Sequence, residues 1–154
     1  MTPDLDPELD DFLITARASL RQAQDRERAE ALVLRWAGAW RGKHRTVTAT
    51  HSNHGSYLHF NQLMEGGIWS HVFTFHAAHR HGLSLRGPDP DRTRKSHKLR
   101  RHRLDSSPLD ALFDDWAAHP EARPAGHAVE FFLVETPDEV WEACLREVQK
   151  HLGS

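Results

Sequence analysis

The sequence predicts an α+β fold, in which an N-terminal helical segment precedes an antiparallel sheet of three to five strands with helices mainly on one face. Apolar residues recur at helical spacing up to Trp40, alternate with polar residues between Thr46 and His79, and return to helical spacing after Ser107. Helices before and after a strand meander, without regular helix–strand alternation, favour α+β. The predicted order is α-β-β-β-(β)-α-β-α.

The length and composition bound the class of protein. A chain of 154 residues, with 38% hydrophobic and 27% charged residues, predicts one globular domain spanning 1–154. Its one cysteine, Cys144, excludes an internal disulfide and any zinc motif built on paired cysteines. The first residues are acidic, and no apolar run approaches the roughly 18 residues of a membrane span. We therefore expect a soluble, cytoplasmic protein that does not insert into membranes.

The first predicted element is helical. Asp6-Pro7 is typical of a helix start, with Asp as the N-cap and Pro at the first helical position. The apolar residues then recur at steps of three and four, and Gly42 is a natural stop. The polar run QAQDRERAE interrupts them, so we predict helix over about 7–41 in one piece or in two. The apolar positions are Leu9, Phe12, Leu13, Ala16, Leu20, Ala23, Ala29, Leu32, Val33, Trp36, Ala37 and Trp40.

The next segment, TVTATHSNHGSYLHFNQ, alternates and contains a turn signal. If His54-Gly55 forms a two-residue hairpin loop, His51 faces Leu58 across the strand pair. A slip of one residue on either strand would exchange that strand's faces. The predicted register makes one face of Val47, Ala49, His51, Leu58 and Phe60, and the other of Thr48, Thr50, Ser52, Tyr57, His59 and Asn61.

A third strand and a short fourth strand follow the turn signal Glu65-Gly66-Gly67. The third, IWSHVFTFHAAH, should place Trp69, His71, Phe73 and Phe75 on one face and Ser70, Val72, Thr74 and His76 on the other. The fourth, HGLSLRG, ends in the breaker GPDPD. A long surface loop is then predicted at about 87–106, and loops of that length are usually functional or disordered.

The last part of the chain predicts helix, strand and helix. Ser107-Pro108 begins a helix whose apolar face includes Leu112 and Trp116. A strand over 128–135 follows, and the capping-box sequence that starts at Thr136 introduces the final helix. Cys144 lies on the apolar stripe of that helix, which predicts a small buried hydrophobic residue.

The strongest functional signal is the basic run RTRKSHKLRRHR, residues 92–103, which holds seven Lys or Arg and no acid. Lys and Arg bind phosphate backbones by charge, with no sequence requirement. The simpler alternative is a solvated loop that offsets the acidic residues 104–154, and a pI near 6.7 is lower than that of dedicated DNA-binding domains. The residues expected to contact DNA or RNA are Arg92, Arg94, Lys95, Lys98, Arg100, Arg101 and Arg103.

The polar face of the predicted sheet is a second candidate site. Sheets that bind single-stranded nucleic acid display rings for base stacking, and here Tyr57 is the clear platform, with His59 and His76 as weaker ones. A plain solvent-exposed face, with Thr as a good strand former, explains the same pattern. Its members would be Thr48, Thr50, Tyr57, His59, Asn61, Thr74 and His76.

Thirteen histidines suggest acid–base or metal chemistry. His59 and His76 have the parity to meet across strands, which makes them the catalytic candidates for a nuclease or a metal-assisted hydrolase. With His79 they are also the candidate metal ligands. A catalytic zinc site needs three protein ligands, and neither HExxH nor CxxC occurs, so no cofactor is expected.

The sequence therefore favours a small binding protein that contacts nucleic acid or another polyanion through its basic loop, sequence-tolerantly and with strong salt dependence. Two alternatives remain open at this point. One is the His-based nuclease or metal-assisted hydrolase. The other is a protein-interaction module, a homo-oligomer that pairs the acidic tail of one subunit with the basic loop of another.

Overall fold

The computed structural model describes residues 7–52, 55–63, 67, 69–78, 83–86, 106–125 and 128–153. Within these residues lie four helices and six strands, and the predicted α+β class and element order are confirmed. The elements in chain order are α1 (Pro7–Ser19), α2 (Ala23–Trp40), β1 (Arg45–Ser52), β2 (Gly55–Leu63), β3 (Trp69–Ala78), β4 (Leu83–Arg86), α3 (Ser106–Ala117), β5 (Arg123–Ala125), β6 (Ala128–Phe132) and α4 (Asp138–Leu152).

The strands form one antiparallel sheet in the order β1-β2-β3-β4-β6-β5. The sheet has one strand more than the predicted range because β5 was not predicted. That strand is only three residues long, which is too short for an alternating pattern to register. Its central Pro124 suits the edge position that β5 occupies, since proline cannot donate to a neighbouring strand.

The N-terminal segment follows one of its two predicted arrangements, whereas the start of α4 departs from the sequence pattern. The N-terminal segment is two helices, and the Arg26 side chain donates to the carbonyls of Leu20 and Arg21 at 2.8 and 3.1 Å across the break. The capping box predicted before α4 is wrong. Pro137 is the N-cap residue, and the Thr136 hydroxyl is buried without a hydrogen-bond partner in the described part of the chain.

The β1–β2 register differs from the predicted one by two residues. Ser52 pairs with Gly55 and Val47 pairs with Phe60, so the connection consists of residues 53 and 54, which lie outside the described residues. Gly55 has a φ of 138°, a conformation that favours glycine. Because the difference is an even number, the predicted faces are kept.

A β-bulge in β3 overturns part of the predicted alternation. Phe73 pairs with Phe60 but His71 pairs with Asn61, so Val72 is an extra residue on β3. The bulge moves His71 away from the face of Phe73 and Phe75, where it was predicted, and onto the polar face. Val72, predicted on the polar face, is buried in the hydrophobic core instead.

The hydrophobic core lies on the other face of the sheet, between the strands and the helices. Trp36 of α2 is fully buried and meets three phenylalanine rings of β2 and β3 edge-on, with centroids 5.4 to 6.4 Å apart. All four helices contribute buried side chains to the same cluster, as predicted for helices on one face. Cys144 is completely buried, in agreement with its predicted place on the apolar stripe.

No helix in the described part of the chain combines the length and the apolar character that crossing a membrane requires.

Candidate functional site

The candidate site is the face of the sheet opposite the core, which we call the polar face. Strand alternation gives it the side chains that the core does not use. Thr50 and His71 are exposed, Asn61 is buried, and the other members are half-buried. Its described members are Thr46, Thr48 and Thr50 of β1, Tyr57, His59 and Asn61 of β2, His71, Thr74 and His76 of β3, and Glu130 of β6.

Four rings form a continuous row across this face, which we call the ring row: His71, His59, Tyr57 and His76. The His71 and His59 rings stack with centroids 4.2 Å apart and an interplanar angle of 22°. Tyr57 stacks with His59 at 6.3 Å and 15°. Tyr57 also meets His76 at 6.0 Å, with the planes tilted by 40°. Three rings are therefore nearly parallel, which is the arrangement that planar ligands extend by stacking.

Hydrogen bonds on both ring nitrogens hold His59 in place. Its Nε2 lies 2.9 Å from Thr50 Oγ1, and its Nδ1 lies 3.1 Å from Thr74 Oγ1. In a neutral imidazole one nitrogen donates and the other accepts, and a threonine hydroxyl can take either part. Burial, with a smaller contribution from His71, lowers the pKa of His59 to about 4. His59 is therefore uncharged at neutral pH.

Asn61 fixes the orientation of His71. The buried amide nitrogen donates to Thr48 Oγ1 at 2.9 Å and to Thr46 Oγ1 at 3.3 Å. The amide oxygen is then the acceptor for His71 Nδ1 at 2.5 Å, so Nδ1 carries the proton. Partial burial of the ring also lowers the pKa of His71.

His59 and His76 share the polar face, as predicted, but they are not opposite each other. The register places Thr74 opposite His59 and Tyr57 opposite His76. His76 Nε2 lies 3.0 Å from a carboxylate oxygen of Glu130, reaching across β4. The histidine stacked on His59 is His71, which sequence analysis missed because the bulge that reorients it leaves no clear mark in the alternation.

This geometry suits binding better than proton transfer. A general acid or base works best with a pKa near the operating pH, and His59 lies well below neutrality. Both of its nitrogens are also engaged by threonine hydroxyls. His59 is thus held as a neutral, oriented ring.

The predicted nucleic-acid contacts, Arg92, Arg94, Lys95, Lys98, Arg100, Arg101 and Arg103, lie outside the described residues, as does the metal candidate His79. Their expected roles stay predictions. The described strand that precedes the basic run, β4, lies in the middle of the sheet between β3 and β6. Its last residue, Arg86, pairs through the backbone with Thr74, the hydrogen-bond partner of His59.

One group of side chains in the described ranges could hold a metal ion, and it lies away from the polar face. It consists of His119, just after α3, with Cys144 and Glu147 of α4. The sequence pattern predicts Cys144 only as a core residue. The spacing of Cys144 and Glu147, three residues apart on one helix, was the available signal, but it gives no indication that His119 lies beside them.

The arrangement of these side chains is the basis for a functional assignment. No protein-family model matches the chain, and neither do the curated proteins or the solved structures with which it was compared.

Proposed function

We propose that this protein binds single-stranded nucleic acid, with bases stacked on the ring row and phosphates held by the basic run 92–103. The observation that carries the proposal is the row of four rings, three of them stacked, on a sheet face that is otherwise polar. Sheets that bind single strands combine such rings with nearby positive charge, and every base offers a π-face. Binding of this kind requires neither catalysis nor a cofactor.

The protonation state of the ring row supports stacking. His59 is neutral at physiological pH because its pKa is about 4. A neutral, hydrogen-bonded ring keeps one orientation, so little side-chain entropy is lost when a base packs on it. His71, which stacks on His59, is the most exposed ring of the row.

Chain length limits how far the first cation of the basic run can lie from β4. Arg92 lies six positions after Arg86, the last residue of β4. A fully extended chain of that length spans about 20 Å, which is roughly the width of four strands. Arg86 itself pairs with Thr74 beneath the row. Phosphates of a strand stacked on the row are therefore within reach of the first cations of the run.

The charges around the row predict strong salt dependence. The Glu130 carboxylate, paired with His76, places negative charge at one end of the row and disfavours phosphate there. Attraction must then come from the basic run, which has seven cations. If all seven contact phosphates of a single strand, log K falls against log salt with a slope of about −5.

Fluorescence anisotropy with labelled single-stranded and double-stranded DNA and RNA, at low and physiological salt, tests the proposal. Tyr57→Ala should weaken single-strand binding about 5- to 150-fold, because one base stack is worth about 1 to 3 kcal/mol. A triple variant, Lys98→Gln, Arg100→Gln and Arg101→Gln, should make the salt slope shallower by about 2. Arg35→Gln is the matched control, since it removes a cation of α2 that is paired with Glu142 of α4, away from the polar face.

Each outcome has a defined meaning. The proposal is wrong if the protein does not bind nucleic acid at low salt, or if its affinity does not change with salt concentration. Equal binding of single and double strands that Tyr57→Ala leaves unchanged removes the stacking part. Light scattering without nucleic acid tests for self-association. Oligomers that dissociate at high salt would instead favour a homo-oligomer joined through the basic run and the acidic tail. The proposal also places the protein in the cytoplasm, which cell fractionation would check.

A further inference from the structure

The group formed by His119, Cys144 and Glu147 combines three different donor atoms at short range. Cys144 and Glu147 are three residues apart on α4, so their side chains share one face of the helix. His119 reaches them from the turn that follows α3, with Nε2 at 3.1 and 3.2 Å from the two carboxylate oxygens of Glu147. One donor atom from each residue lies within 4.8 Å of the other two.

We propose that His119, Cys144 and Glu147 bind a zinc ion. Zinc accepts nitrogen, sulfur and oxygen ligands together, and thiolate in the set disfavours magnesium and calcium. Tetrahedral zinc with its usual bond lengths separates the donors by about 3.3 to 3.6 Å. The His119–Glu147 distance is already close to this range, so the thiol needs to move by only about 1 Å.

The side chain of Glu121 is a second, independent sign of a cation at this place. Its Oε1 is buried and has no hydrogen-bond partner in the described part of the chain. A buried carboxylate oxygen without a donor is costly and calls for an unseen ion or water. Glu121 lies two residues after His119, and its charge acts on Cys144. A water molecule in the fourth position of a zinc ion held by the three donors would donate the hydrogen bond that this oxygen lacks.

The charges and protons of the site balance. Zinc with one thiolate, one carboxylate and one neutral imidazole carries no net charge, which keeps the cost of burying the ion low. Without metal, burial raises the pKa of the Cys144 thiol, and the nearby carboxylates of Glu147 and Glu121 raise it further. Zinc binding releases the thiol proton to solvent. The His119 proton moves to Nδ1, so that Nε2 offers its lone pair to the ion.

The site would link α4 to the turn after α3. That link adds to the hydrophobic contact of these helices, in which the Trp116 indole donates to the Cys144 carbonyl at 3.2 Å. With three protein ligands the ion also keeps a fourth position for water or for Glu121. The inference is independent of nucleic-acid binding on the polar face.

The test uses the full chain without a histidine tag, stripped of metal by a chelator and titrated with Zn²⁺ and with Co²⁺. Calorimetry should show one zinc ion per chain. Co²⁺ should produce the near-ultraviolet charge-transfer band of a cobalt–thiolate bond, which can arise only from Cys144 because the chain has one cysteine. His119→Gln and Glu147→Gln should remove the band or weaken zinc affinity more than tenfold. Glu121→Gln should weaken it by about 10- to 100-fold, as outer ligands do.

Glu139→Gln, an exposed substitution on the same helix, and His44→Gln, at an exposed histidine, are the controls and should leave zinc affinity unchanged. Cys144→Ala should also abolish the cobalt–thiolate band. If that core variant fails to fold, Glu147→Gln keeps the test decisive because Glu147 is partly exposed. A folded wild-type protein without the cobalt–thiolate band overturns the site. So does zinc affinity that His119→Gln and Glu147→Gln leave intact, since such zinc would be held by other histidines.

Discussion

Protonation of His59 should destabilise the folded protein as the pH falls below 6.5. Burial between Thr50 and Thr74 lowers the folded-state pKa from 6.5 to about 4, with a smaller contribution from His71. In the unfolded chain the ring regains its ordinary pKa. Between pH 6.5 and about 4 the unfolded state thus binds a proton that the folded state excludes. Stability therefore rises with pH across this window and is lost as the pH falls through it.

The size of the effect follows from the shift. Each pKa unit corresponds to about 1.36 kcal/mol, so lowering the pKa from 6.5 to about 4 gives an upper limit of about 3 kcal/mol. Solvent screens a half-buried ring in part, which reduces the expected contribution to about 1 to 3 kcal/mol. Against an ordinary total stability of about 5 to 15 kcal/mol, this is measurable.

Urea unfolding at pH 7.5, 5.5 and 4.5, followed by circular dichroism, measures this contribution. In the His59→Gln variant the glutamine cannot titrate but can still hydrogen-bond both threonines. On acidification the free energy of unfolding of this variant should therefore fall by about 1 to 3 kcal/mol less than that of the wild type. His44→Gln, at an exposed histidine outside the polar face, controls for the loss of a histidine. The reasoning is refuted if His59→Gln keeps the wild-type pH dependence, or if NMR shows His59 titrating near 6.5.

Three further substitutions test the packing beneath the site, each by urea unfolding. Trp36→Ala should cost about 3 to 5 kcal/mol because it empties the fully buried space among three phenylalanine rings; a cost under 1 kcal/mol would contradict this packing. Asn61→Ala should cost about 1 to 3 kcal/mol, since two threonine hydroxyls and His71 lose their partner. Trp40→Phe should cost about 1 to 3 kcal/mol because it removes the buried 3.0 Å hydrogen bond that the indole donates to the Asn61 carbonyl. Unchanged midpoints in the last two variants would show that solvent satisfies these groups.

Much of the fold was predictable because side-chain periodicity reports which face of an element is buried. The helical stripe that includes Trp36 and the alternation of Val47, Leu58 and Phe60 are local patterns. The structure buries most of these residues, and Leu32 is partly buried against the core. The predicted faces of the β1–β2 hairpin are correct although its predicted register is wrong, because the register error is an even number of residues. The edge strand β5 was missed because three residues carry too little pattern.

The site was less predictable, because it depends on contacts between distant segments. Parity correctly placed Tyr57, His59 and His76 on one face. It could not show that the bulge at Val72 brings His71 onto that face to stack on His59. A bulge is selected by the pairing of two strands, and single-strand alternation does not encode it.

By itself, the sequence determined the α+β class, the apolar faces of its helices and strands, and a cation-rich segment at 92–103. Only the tertiary structure decided which side chains meet: the ring row across β2 and β3, and the approach of His119 to Cys144 and Glu147 across two helices. The reason is physical. Burial of one face is a local property of each element, whereas register and helix docking are set by packing between elements far apart in the chain.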